Sequence, residues 1–210
     1  MKTFNEEDIS QMEKFYRAKF INSLSGVKSA NLVGTIDSDG LTNLSIVSSA
    51  VHIGANPALM GIVFRPATVS RHTFENINST KEFTLNHISS SFFKQAHQTS
   101  ARYAKEVSEF DEVGLTEEYL PGMKAPFVKE SKLKIGLKLR EIIHLDINKT
   151  EFVIGEICHV HLSDQFISSD GHIDIQALGS VGVTGLDSYH DLGKGTRLSY
   201  AKPGKELKEI

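Results

Sequence analysis

With 210 residues, 40% of them hydrophobic and 23% charged, the chain has the composition of a folded globular protein. That length suits one large domain whose core removes roughly 70% of the unfolded surface from water. A formal net charge of −3 with Lys and Glu intermixed leaves no basic footprint, which excludes nucleic acid as an expected partner. The acidic start, Met1 to Asp8, carries no signal-peptide core, and no run of about 18 apolar residues occurs. Cys158 is the single cysteine, so no intrachain disulfide can form. The expectation is a cytoplasmic protein without a membrane partner.

In chain order, Asn5 is a candidate N-cap, followed by Glu6, Glu7 and Asp8 in a first turn. Met12, Phe15, Tyr16, Lys19 and Phe20 then recur at three and four residues, predicting an amphipathic helix over Glu6 to Ile21. The period then changes. Asn31 to Ile36 and Leu44 to Ile53 read as strands flanking the turn Asp37-Ser38-Asp39-Gly40, and Ala58 to Phe64 is a third. Arg65 to Thr73 is a loop rich in arginine and hydroxyls, before a short helix at Thr73 to Ser79. Glu82 to Ile88 is a strand and Ser90 to Gln98 a short helix. Thr99 to Glu130 lacks clear periodicity and reads as short helices joined by loop, a lid or partner-contacting excursion.

The clearest pattern follows. Leu133, Ile135, Leu137, Leu139, Ile143, Leu145 and Ile147 take odd positions and charged residues the even ones, predicting a long strand whose odd face is buried. Phe152, Ile154, Cys158, Val160 and Leu162 continue the alternation beyond a turn at Asn148-Lys149-Thr150, with Cys158 as a packed thiol. Lys202 to Ile210 reads as a tail or crossing arm. Strands joined by short turns, with no repeated βαβ spacing, predict a mainly β single domain over residues 1–210, an antiparallel barrel with peripheral helices.

Two features carry candidate chemistry. Arg65, Thr68, Ser70, Arg71 and Thr73 place guanidinium forks and hydroxyls at a helix start, the chemistry of a phosphate seat. A solvated loop with capping residues explains the same types equally well. Thr42 to Ser49 is rich in small residues, which let a flat ligand approach the backbone, although serines on the wet face of a sheet give the same pattern. Asn86 and Thr99-Ser100-Ala101-Arg102-Tyr103 add an amide and a second basic, hydroxyl-bearing cluster. His159 and His161 share a strand face but lack a third ligand. His52 and His190 read as packing or hydrogen-bonding residues, with a position over a cofactor as the alternative. The chain has no Rossmann glycine fingerprint.

The succession Asn43 to Ser49, Asn56-Pro57, Arg65-Pro66, Thr68, Arg71, Thr73, Asn76-Ile77, Phe83 and Asn86 resembles the flavin reductase-like group of FMN-binding split-barrel proteins. The likeness continues through Ala96 to Ala101, Ala125-Pro126-Phe127, Val153 to Ile157 and Tyr200 to Pro203. It implies an antiparallel Greek-key split β-barrel and a homodimer with FMN near the subunit interface. Carried onto this chain, it implies a flavin ring along the strand of Asn43, Ser45, Ser48 and Ser49, and a phosphate near Arg65, Thr68 and Arg71. Asn86 falls near the ring or ribityl chain, and Ser100, Ala101 and Arg102 close the phosphate side. One of the arginines alternatively serves NADPH or a dimer contact. The implied activity is an NAD(P)H-dependent flavin reductase, with NADH or NADPH as donor. The alternatives are a non-enzymatic FMN-binding electron carrier and a flavin-free β-barrel interaction module.

Overall fold

The computed structural model describes residues 1–66 and 70–210. The first half of the chain forms α1 (Glu6–Ser10), α2 (Lys14–Leu24), β1 (Lys28–Ser29), β2 (Asn31–Ile36), β3 (Thr42–Val47), β4 (Ala50–Ala55), β5 (Ala58–Phe64), α3 (His72–Thr80) and β6 (Glu82–His87). It continues with α4 (Phe93–Gln98), α5 (Glu109–Val113), β7 (Glu117–Glu118), β8 (Phe127–Val128), β9 (Lys134–Leu145), β10 (Thr150–His161), β11 (Val181–Thr184) and β12 (Ser188–Asp191). Seven strands make one antiparallel sheet in the order β3-β2-β6-β9-β10-β5-β4. This is the expected mainly β barrel with peripheral helices.

The topology explains the split. Sequence reading joins Leu44 to Ile53 into one strand, whereas β3 and β4 stand at opposite ends of the sheet order. The chain crosses from one edge to the other at Ser48 and Ser49, between the two strands. At the other end of β3, Asp37 closes the predicted hairpin, its carboxylate accepting the N–H groups of Asp39 and Leu41 at 2.9 Å each, while Gly40 takes a φ of +89°. Strand β2 does not alternate because both of its faces are covered. Leu32 packs with Leu44, Ile88 and Phe92, and Val33 joins Ile62, Phe64, Leu85 and Val153 in the barrel interior.

Other expectations change as well. The N-terminal helix is two helices, because the Glu13 carboxylate accepts the N–H groups of Phe15 and Tyr16 and so starts a new helix after Gln11. Asn5 caps the first as predicted, but neither helix buries a residue, and Phe15 and Leu24 are largely exposed.

The alternating face of β9 also changes sides midway. Glu141 pairs with Ile154 and Leu139 with Gly155, which leaves Arg140 as an extra, bulged residue. Beyond it Ile142 is partly buried against the core, while Ile143 and Leu145 face water. At the start of the same strand Lys134, expected on the polar face, is buried and pairs with Glu118 of β7.

Cys158 also departs from expectation: it is exposed on β10 and not part of the core, although its thiol lies against Met123, and burial raises the thiol pKa. Within Thr99 to Glu130 the predicted short helix is α5, but β7 and β8 pair with each other, and Thr84 Oγ1 donates to Pro126 O at 2.7 Å. That part of the segment is fastened to the barrel and is no lid. Among the described residues, no helix is long and apolar enough to cross a membrane.

Candidate functional site

Beside edge strand β3 and the end of β5 opens a cavity of about 880 Å³, within the range of cofactor pockets. Its floor is β3 and the Ser48–Ser49 crossing, one wall is Arg65 with the start of α3, and another is the loop after α4. The far wall is the C-terminal hairpin of β11 and β12, which β1 carries into place by pairing with β11.

The strand floor is held by a chain of hydrogen bonds. Glu109 of α5 is buried, and its carboxyl oxygen accepts from Asn43 Nδ2 at 2.6 Å and from the Leu44 N–H at 2.8 Å. Thr73 Oγ1 donates to Asn43 Oδ1 at 2.7 Å, so at 2.8 Å from Ser45 Oγ it accepts the serine proton. Two helices thereby clamp one strand. Asn43 is a positioning group in this arrangement, and Ser45 keeps its oxygen lone pairs for the cavity. Ser49 Oγ donates to Val63 O at 2.9 Å and fixes the crossing to β5.

The cationic wall is less settled. Burial first, then the positive charges of Arg65 and Arg102, lower the pKa of Arg71 from its ordinary guanidinium value. Its Nε is buried and has no hydrogen-bond partner among the described residues. An unpaired buried N–H costs about 1–3 kcal/mol, more when charged, and a third arginine nearby adds repulsion. Both costs vanish when an anion with several acceptor oxygens sits among the three side chains. Ser70 is committed elsewhere, because its hydroxyl and the Arg71 N–H both bind Glu75 Oε1, which holds the Glu75 carboxyl below its usual range.

Of the residues expected at the site, Asn43, Ser45, Ser48, Ser49, Arg65, Arg71, Ser100, Ala101 and Arg102 all line the cavity. Thr68 lies outside the described residues. Asn86 is placed elsewhere: fully buried, it donates to Leu32 O and Thr84 Oγ1 and accepts from the Val128 N–H at 3.0 Å. Those bonds fasten β8 to β6 and leave no contact with the cavity. His52 is exposed on β4, His190 shares a hydrogen bond with Thr184 Oγ1, and neither lines the cavity.

The sequence reading missed the far wall. Tyr189 meets His97 Nδ1 through its hydroxyl at 2.9 Å and packs against the Phe93 ring at 5.2 Å. Burial, then the nearby Asp187 charge, push its phenol above the ordinary pKa, so it stays protonated at neutral pH. Only the polar–aromatic mixture Ser188-Tyr189-His190 hinted at this hairpin.

Residues 27–172 match the Flavin reductase like domain family. Over 96% of this chain and 100% of its own, a candidate flavin reductase with split barrel domain from Shewanella frigidimarina NCIMB 400 is 56% identical and superposes with a TM-score of 0.92. Flavoredoxin of Desulfovibrio vulgaris (Miyazaki F) is 26% identical, with a TM-score of 0.70, over 85% of this chain and 92% of its own. A protein of Aquifex aeolicus (strain VF5) without an assigned role is 26% identical over 75% of this chain and 80% of its own. The chain belongs to the flavin reductase-like family, a flavin-oxidoreductase kind built on the split barrel.

Proposed function

We propose that the cavity binds FMN and that the protein is an NAD(P)H-dependent flavin oxidoreductase. The observation that carries this reading is the buried, unpaired Nε of Arg71 inside a cluster with Arg65 and Arg102, at the end of a floor of small residues. Those arginines, with Thr68, would hold the phosphate, and Ser45, Ser48 and Ser49 would lie beside the ring. When bound, FMN supplies the hydride and electron transfer. The chain's residues bind and orient: the clamp of Glu109, Asn43 and Thr73 keeps β3 straight under the ring, and Tyr189 with His97 walls off water. With no Rossmann fingerprint, the nicotinamide enters the same open cavity.

A homodimer is part of the proposal. Val51 and Ile53 of β4, Val63 of β5, and Ile143 and Leu145 of β9 are exposed, and pairing through Phe152 of β10 puts them on one face, apolar surface that a second copy would cover. Light scattering that gives a monomer would remove it. The lone cysteine, incapable of an intrachain disulfide, agrees with a cytoplasmic setting. A second reading, an FMN-bearing electron carrier, is supported by the flavoredoxin relative.

The purified protein is expected to show a flavin absorbance spectrum, release FMN on denaturation, and oxidise NADH or NADPH with added FMN. Bound flavin without turnover of either donor selects the carrier; a colourless protein indifferent to added FMN defeats both.

A further inference from the structure

Outside the cavity, three soft side chains meet over Gly136 of β9. Strand β10 bulges here: Ile157 pairs with Leu137 and His159 with Gly136, leaving Cys158 as the extra residue. A bulge interrupts the period of two, so neighbouring side chains share a side. His159 Nδ1 lies 3.4 Å from Cys158 Sγ, and Met123 Sδ approaches the same sulfur to 3.6 Å. Glycines make the room. A Cβ on Gly136 would stand 3.1 Å from His159 Cβ and 3.3 Å from Met123 Cε, and one on Gly122 would stand 3.2 Å from the His159 ring.

Cys158 Sγ stands 3.6 Å from Met123 Sδ and 3.4 Å from His159 Nδ1, separations that an ion can bridge with metal–sulfur bonds of about 2.3 Å and metal–imidazole bonds of about 2.0–2.1 Å. Thiolate, thioether and imidazole are soft donors that favour monovalent copper over magnesium, calcium or manganese, and three donors suit it better than zinc, whose structural sites take four. Cys158 is exposed, which gives an ion its way in. Neither sulfur nor the imidazole is used by the cavity, and no cluster of His, Cys, Asp and Glu competes for a hard ion among the described residues.

We propose that Cys158, Met123 and His159 form a surface site for cuprous copper, separate from the cofactor cavity. On binding, the thiol proton leaves to solvent and the ion takes its place on sulfur, with no change of oxidation state. The Gly136 carbonyl, which now accepts from the thiol at 3.3 Å, loses that donor.

The test is anaerobic competition of the full chain against a cuprous chelator, followed by X-ray absorption at the copper edge. The wild type should hold one ion per chain, coordinated by two sulfurs and one nitrogen. Cys158→Ser and Met123→Leu should each weaken retention by roughly 100-fold, the share of one ligand among few. His159→Ala, at a half-exposed position, reads the same loss should the Met123 variant fail to fold. Wild-type affinity equal to that of Cys158→Ser, a copper shell with a single sulfur, or zinc held as tightly as copper would each overturn the site.

Discussion

The strand interior at β6 and the rim at the start of α3 both take polar groups out of water, and they treat them in opposite ways. Asn86 is buried with its donors and acceptor all engaged, tying β2, β6 and β8 together. Arg71 is held among like charges with its Nε unpaired. A satisfied buried amide is architecture, because its bonds already exist in the folded state. A half-buried cation with one buried, unsatisfied N–H marks a place where the partner arrives from outside. The contrast separates two residues that the family resemblance put in one ligand set.

Breaking the first region should produce the largest effect on stability. Asn86→Ala strands the Leu32 carbonyl and the Val128 N–H, and is expected to cost about 3 kcal/mol in urea unfolding. A loss within about 0.5 kcal/mol of zero would contradict its structural role.

The next effect depends on pH. Burial of His87, at the end of β6, lowers its pKa to about 4 from an ordinary 6.5. Between those values the unfolded chain binds a proton that the folded one refuses. Stability is therefore full above pH 6.5 and falls toward pH 4, by at most about 1.4 kcal/mol per pH unit from this group. Below that window the loss from His87 stops. His87→Gln should flatten this part of the stability profile, and an unchanged slope would place the lost protons elsewhere.

Next comes the clamp. Glu109→Ala removes the one oxygen that accepts from both Asn43 Nδ2 and the Leu44 N–H, and should cost about 1–3 kcal/mol while lowering flavin affinity through the displaced β3. Unchanged stability and affinity together would remove Glu109 from the support of the floor. The smallest effect, and one of opposite sign, belongs to the second region: Arg71→Ala removes an unpaired buried N–H and a like charge, and should leave the ligand-free protein as stable as before or stabilise it by about 1 kcal/mol. A large destabilisation there would make Arg71 architectural too and erase the contrast.

The residues that line the cavity were legible where their chemistry is local. Arg65 and Arg71 sit six positions apart at a helix start, and small residues cluster on one strand; residue type offered an anion and a flat ligand beside a solvated loop and a wet sheet face, and the family resemblance chose between them. What stayed hidden depends on distant pairing. Tyr189 reaches the cavity only because β1 holds β11, and a tyrosine among polar residues signals nothing of the kind. Glu109 looks like an ordinary acid in a first helical turn until α5 docks on β3 and buries it. The hydrophobic alternation of β9 was read correctly as strand but assigned to the wrong face past Arg140, since a bulge leaves no mark in a pattern of period two.

The phosphate claim is tested most directly by titrating wild-type and Arg71→Ala protein with FMN and with riboflavin, which differ by the phosphate alone. The wild type should prefer FMN, and the variant should lose about ten- to 150-fold in FMN affinity, the worth of one charge-assisted hydrogen bond, while binding riboflavin as before. Equal losses for the two ligands, or none for either, would contradict a phosphate among these arginines.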